Sequence, residues 1–258
     1  MDDPLRLARY PLLVFMFSFL LLWLLAWIAA SRFKNLRLRM QEEHAEYNVV
    51  QGATLTLLGL IIGFTFSMAL NRYDQRKNLE EEEANAIGTE YLRVDFLPAA
   101  EAAKAKELLV GYLDQRVLFY TTRDEQDLQK IDDRTAKLQA ELWSVVQKAA
   151  SAEPTPPMAV TVIGMNDVLN SQGYTLAAWR NRIPVAAWWL MLAIAMCATV
   201  LVGVGVRKAE SNSHLLFILP LIVSIAFFLI ADIDSPRRGM IRVVPQNLLT
   251  LSQSLQAH

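Results

Sequence analysis

The feature that most constrains this chain is the stretch from Gln51 to Phe96, which contains no proline. Its first part, Gly52–Leu70, is apolar and uncharged, whereas the residues that follow are rich in charge. Pro98 lacks an amide hydrogen and disfavours helical geometry in the residue before it. The pattern predicts one continuous helix of roughly 65–70 Å, about twice the ~30 Å hydrocarbon core of a bilayer. We therefore expect this helix to cross a membrane and project beyond it.

The composition is that of a membrane protein with a substantial polar part. Hydrophobic residues make up 53% of the 258 residues, and the mean hydropathy is +0.24. Four segments are apolar and long enough to cross a bilayer: Pro11–Ala30, Gly52–Leu70, Pro184–Val206 and Leu215–Ala231. The net charge of −1 gives no basis for nucleic-acid binding, so we expect no nucleic-acid partner.

Helical periodicity continues outside these segments. Apolar residues recur at helical spacing in Ala100–Thr122 and Glu125–Ala150, and Met158–Arg182 leads into the third apolar segment. The predicted fold class is all-α: a four-transmembrane-helix membrane protein with a cytoplasmic helical domain inserted between spans 2 and 3 and a long continuous second helix. We divide the chain into transmembrane helices 1 and 2 (1–70), the helical domain (71–183), transmembrane helices 3 and 4 (184–231) and a tail (232–258).

The orientation follows from basic residues near the ends of the spans. Arginine and lysine are more numerous on the side that holds the N-terminus, the helical domain and the tail, although a basic cluster also follows the first span. The prediction is a multi-pass protein of the bacterial inner membrane with both termini in the cytoplasm.

No enzymatic motif is found in the sequence. The three histidines lie in a linker, a loop and the C-terminus, and no nucleophile elbow, Walker loop or nucleotide fingerprint is present. The acidic run Glu80–Glu83 cannot share one face of a helix, so it fits a solvated turn better than a calcium site. We therefore expect no catalytic residue, no cofactor and no metal site.

One face of the second span carries small or polar residues. A ladder at helical spacing comprises Thr56, Leu60, Gly63, Ser67 and Asn71, with Phe64 beside it. In one interpretation, the small residues allow close helix packing, which is the commoner use of such stripes. In the other, the same face from several subunits lines a pore, with Leu60 and Phe64 as hydrophobic constrictions.

A charged group follows the second span directly. Arg72, Asp74, Arg76 and Glu83 are predicted to form either an intersubunit salt-bridge belt or a vestibule that recruits ions. After the last span, Asp234, Pro236 and Gly239 are predicted to shape a turn that docks the tail.

Two separated motifs resemble those of a known family. The first is IGFTFSMALNRYDQRKNL (Ile62–Leu79), continued by Glu83–Thr89 and Leu92–Arg93, and the second is DSPRRG (Asp234–Gly239). Together they resemble the bestrophin-like bacterial membrane proteins and, more distantly, the bestrophin anion channels.

The resemblance implies a homopentamer with a central pore lined by the second helix, which passes anions such as chloride passively. Thr56, Leu60 and Phe64 would then occupy its neck, and the partners are further copies of the chain, the lipid bilayer and small inorganic ions. The bestrophin neck is largely apolar and led by proline, whereas this chain reads TLTLLGL from Thr54. The acidic cluster of the bestrophin calcium clasp is reduced here to Asp232 and Asp234, which puts calcium gating in doubt.

Two other functions stay open at this point. A non-conducting membrane scaffold or sensor is compatible with the helical domain. A stator-like energy-transducing subunit is compatible with the order of spans, but such subunits need an intramembrane acid, and none of the four predicted spans contains Asp or Glu.

Overall fold

The computed structural model describes residues 10–32, 44–206 and 214–256. In chain order its helices are α1 (Pro11–Arg32), α2 (His44–Arg93), a 3-10 turn (Val94–Phe96), α3 (Ala99–Thr121), α4 (Glu125–Ala152), α5 (Pro156–Arg180), α6 (Val185–Gly205), α7 (Leu215–Asp234) and α8 (Gln246–Gln256). No strand occurs in these residues. The predicted all-α class is confirmed.

Helix α2 is continuous over 50 residues, as the sequence predicts. It begins at His44, upstream of the predicted start near Gln51, and at 1.5 Å per residue it is roughly 75 Å long. The 3-10 turn tightens its end, and Leu97 adopts extended geometry (φ −75°, ψ 159°) directly before Pro98. The proline therefore ends the helix in the way its ring requires.

The described residues contain four helical stretches that are long and apolar enough to cross a membrane. They lie in α1, in the first part of α2, in α6 and in α7. The protein is thus a four-span membrane protein. The connections at 33–43, between α1 and α2, and at 207–213, between α6 and α7, lie outside the described residues.

The chain divides into two compact units, of which the first comprises Met1–Arg72 and Arg182–Arg242. Here α1 packs against α6 and α7. The rings of Trp23 and Phe217 stack with their centres 5.1 Å apart. A Cβ atom added at Gly203 would lie only 2.7 Å from the carbonyl oxygen of Ala26, so the missing side chain is what allows α6 to approach α1 this closely.

The second unit, which we call the helical unit, comprises Tyr73–Asn181 and Val243–His258. Its hydrophobic core draws on α2, α3, α4 and α5, and includes Ile87, Leu109, Leu142 and Met165. The start of α4 is capped by the Asp124 carboxylate, which accepts hydrogen bonds from the backbone amides of Gln126 at 2.9 Å and Asp127 at 3.1 Å.

Candidate functional site on helix α2

The six residues predicted to line a pore lie on one exposed face of α2. They are Thr56, Leu60, Gly63, Phe64, Ser67 and Asn71. Leu60 is 51% exposed and Phe64 is 62% exposed, both large fractions for apolar side chains. By contrast, Leu58, Thr65 and Ala69 on the opposite side of the helix are buried. The residues that the structure describes therefore leave the predicted pore face uncovered.

The glycines on this face leave open space in front of the helix. A Cβ atom added at Gly59 or Gly63 would meet no atom within 4 Å. The hydroxyl of Thr56 donates to the carbonyl oxygen of Gly52 at 2.9 Å, so its hydrogen is already used within the helix. What this face offers to its surroundings is hydroxyl oxygens, one amide and two large apolar side chains.

The exposed face continues beyond the apolar segment, along α2 and into the 3-10 turn that follows it. Polar and then apolar side chains follow at spacings of three and four residues: Asp74, Asn78, Glu81, Asn85, Thr89, Leu92 and Phe96. Leu92 is 69% exposed, and Phe96 is also exposed. A helix row that stays uncovered over so many turns is a surface available to other molecules or to other copies of the chain.

The structure places the four predicted interface charges in two different environments. Arg76 and Glu83 are fully buried within their own chain, whereas Asp74 is exposed and Arg72 is half-buried. The Arg76 guanidinium donates to the carbonyl oxygens of Ala178 at 3.2 Å and Asn181 at 3.0 Å, which caps the C-terminal end of α5. This corrects the predicted intersubunit or vestibule role for Arg76.

Glu83 is the centre of a buried polar cluster in the helical unit. Its carboxylate is paired with Arg116 on α3. It also accepts hydrogen bonds from the Tyr120 hydroxyl at 3.2 Å and the Thr175 hydroxyl at 3.4 Å. Burial, reinforced by the Glu83 charge, raises the pKa of Tyr120 well above its usual range. Glu83 is therefore an interior ion-pair partner rather than an interface group.

Sequence reasoning missed Arg116, although a signal was present. Arg116 occupies a position at helical spacing among Leu109, Tyr112, Leu113 and Phe119, all of which are buried on α3. A charged residue within an apolar stripe indicates a buried partner, because an isolated charge is too costly to desolvate. The identity of that partner could not be read from spacing, since Glu83 is 33 residues away.

The predicted tail turn lies directly after α7. Both oxygens of Asp234 accept from the amide of Ile183 at 3.2 Å, and the two oxygens of Asp232 accept from the amides of Met240 and Ile241 at 2.7 and 2.8 Å. Gly239 is required sterically, because an added Cβ atom would lie 2.2 Å from the carbonyl oxygen of Asp232. Pro236 is buried in the same turn.

These two aspartates are oriented toward backbone amides. In the part of the chain that the structure describes, no group of three or more His, Cys, Asp or Glu side chains is placed to hold a metal ion. The acidic residues after the last span thus fold the turn, which is a structural use of side chains that the resemblance places near a calcium clasp.

Fold and site together define a class of protein: an all-α membrane protein with four spans, whose second span continues as one helix into a helical unit. A sequence profile of the Bestrophin-like domain matches residues 16–248. The chain therefore belongs to the Bestrophin-like family. No curated protein matches its sequence significantly.

Solved structures show the same fold at low sequence identity. A single-residue variant of a bacterial bestrophin homologue from Klebsiella pneumoniae is 13% identical, with a TM-score of 0.65 over 94% of this chain and 98% of that chain. Another structure of a bacterial bestrophin homologue from the same organism is 14% identical, with a TM-score of 0.62 over 94% of this chain and 97% of that chain. A further variant is 14% identical, with a TM-score of 0.66 over 94% of this chain and 96% of that one.

Proposed function

We propose that the protein is a homopentameric ion channel that passes anions such as chloride, with α2 lining the pore. The observation that carries this proposal is the uncovered face of α2. Leu60 and Phe64 are exposed there among small and polar residues, and no other described part of the chain buries them. Membership of the Bestrophin-like family supports the same function.

Several copies are needed because an exposed face of one helix can line a closed path only when copies of it meet around a shared axis. Around a shared axis, Thr56, Ser67 and Asn71 form rings of hydroxyl and amide groups, while Leu60 and Phe64 form narrow hydrophobic rings. Hydrophobic rings of this kind gate by losing water. No acidic side chain lies on the six-residue face.

The proposal also includes the remaining parts of the chain. The helical unit and both termini lie in the cytoplasm of an inner-membrane protein, in keeping with the excess of basic residues on that side. Asp74, which continues the exposed row, and Arg72, two residues before it, line the cytoplasmic vestibule. The protein is a channel rather than an enzyme.

The test is anion flux through liposomes that contain the purified protein. Phe64→Ala is expected to raise chloride flux severalfold, because it widens a hydrophobic constriction and lowers the cost of wetting it. Phe66→Ala is the matched control: it is also exposed, but at 100° per residue it lies roughly 160° around the helix from Phe64. The Phe66 variant should conduct like the unmodified protein.

The same samples give the number of subunits by native mass spectrometry. Five subunits together with a flux change confined to Phe64→Ala support the proposal. Absence of flux in the unmodified protein and in both variants would overturn the channel, and a monomer would overturn the shared pore. Equal flux changes in both variants would show that Phe64 faces lipid.

A further inference from the structure

Glu90 is a buried carboxyl group that the proposed channel does not use. It lies on the part of α2 that belongs to the helical unit, twenty residues after Leu70 in the sequence. The side chain is inaccessible to solvent, and neither carboxyl oxygen accepts a hydrogen bond. Such a group is rare, because buried polar atoms are nearly always paired.

The side chain of Glu90 is packed against the backbone of α5 at Gly164. A Cβ atom added at Gly164 would lie 2.0 Å from Oε2 of Glu90 and 2.7 Å from Nη1 of Arg93. The missing side chain of Gly164 therefore makes the space in which the carboxyl group sits. A side chain at this position would displace the ends of the Glu90 and Arg93 side chains.

In the described chain, two charged side chains act on Glu90: one from its own helix and one from α5. Arg93 on α2 stabilises the ionised form, whereas Asp167 on α5 destabilises it. A cavity of about 210 Å³ lies beside them and is lined by Asn85, Ala86, Thr89, Arg93, Gly164 and Asp167. It is large enough to hold several water molecules.

An ionised carboxylate at this position would lack every hydrogen bond that it has in water. Removing a charge from water without a partner is costly enough that such groups bind a proton instead. Burial raises the pKa of Glu90 to about 8, an effect that Arg93 partly opposes and Asp167 reinforces.

We propose that Glu90 is a proton-binding site of the helical unit: α5 packs tightly on α2 while Glu90 is a neutral acid, and ionisation of Glu90 loosens this contact. The ionised carboxylate needs donors, which the neighbouring cavity supplies as water or by a turn of the Arg93 side chain. Either change moves the Glu90 carboxyl group or the Arg93 guanidinium, which now fill the space at Gly164. Glu90 is not one of the pore-face residues, so this proposal does not depend on whether the protein conducts ions.

The sign of the pH effect follows from linkage between proton binding and folding. Between the unfolded pKa of 4.5 and the folded pKa of about 8, the folded protein holds a proton that the unfolded chain releases. Stability contributed by Glu90 is therefore fully present below the unfolded pKa and is lost as the pH rises through about 8.

The experiment compares the purified full-length protein with Glu90→Gln, which imitates the neutral acid at every pH. Infrared difference spectra should show a protonated-carboxyl band that disappears with a midpoint near 8 in the unmodified protein and is absent from Glu90→Gln. The melting temperature of the unmodified protein should fall between pH 4.5 and about 8, relative to that of Glu90→Gln. Glu82→Gln, which changes an exposed acid on the same helix, is the control and should keep the transition.

The two charged neighbours give a second test that does not depend on Glu90→Gln folding well. Asp167→Asn should lower the midpoint by about one unit because it removes a like charge, whereas Arg93→Gln should raise it by a similar amount. Opposite shifts support the site. A band that persists in Glu90→Gln, or a midpoint that neither neighbour moves, would overturn the proposal while leaving the channel proposal untouched.

Discussion

At the scale of single residues, the helical unit combines exposed charges on its surface with a few charges in its interior that are paired with great specificity. Arg116 and Glu83 are both fully buried, and the Arg116 guanidinium also lies 4.5 Å from the centre of the Phe119 ring. Tyr120 and Thr175 complete the hydrogen bonding of the carboxylate. Such a cluster adds little net stability compared with apolar residues, but it tolerates the loss of neither partner.

Replacement of Arg116 by methionine tests this asymmetry. Arg116→Met leaves the Glu83 carboxylate buried without its cation, so the free energy of unfolding should fall by about 3–5 kcal/mol. A second change, Glu83→Leu, should restore much of that loss because it removes the stranded charge. Denaturant titration of the detergent-solubilised protein measures both. Lys130→Ala breaks the exposed pair with Asp127 and should leave stability unchanged, and equal losses in all variants would contradict the argument.

At the scale of elements, helix α8 is attached to α2 through the side chain of Glu80. One oxygen of Glu80 accepts from the amides of Asn247 and Leu248 at 2.9 and 3.0 Å, and the other accepts from the Asn247 side chain at 2.7 Å. Glu80 thus caps the N-terminus of α8 from a different helix. Four residues further along α8, Leu251 lies against Gly88, where an added Cβ atom would be 3.1 Å from it.

Removing this cap should release α8 without unfolding the rest. Glu80→Ala takes away the acceptor of two helix amides, a loss worth about 0.5–2 kcal/mol at a helix N-terminus. Trypsin cleavage after Arg242, which is exposed, should then be faster and should free the segment that follows, as followed by mass spectrometry. Glu81→Ala removes the adjacent exposed acid and should not change the cleavage rate. Identical rates in the two variants would show that Glu80 does not hold the helix.

At the scale of the whole molecule, the local sequence pattern predicts the helices. The environment of the charged residues, by contrast, depends on contacts between helices that are far apart in the sequence. The absence of proline between Gln51 and Phe96 is enough to predict a continuous α2. Glu83 and Arg76 were assigned to a surface because a single sequence does not show which helix covers which face. Glu90 was passed over for the same reason, since its burial depends on Gly164 in α5.

The exposed face of α2 is the feature that the proposed assembly of chains would cover, and cross-linking tests this directly. In a background with Cys197→Ser, which removes the single cysteine, Ser67→Cys should give a ladder of products up to the full oligomer with a short bismaleimide, because a shared axis brings copies of this face together. Ala69→Cys is the control: residue 69 lies on the buried side of α2 and should give no ladder. The absence of a ladder at both positions would place the copies of α2 apart, and the pore face would then be a surface for lipid. Ladders of equal intensity at both positions would show that no particular face of α2 is directed toward the axis, which would also overturn the predicted pore lining.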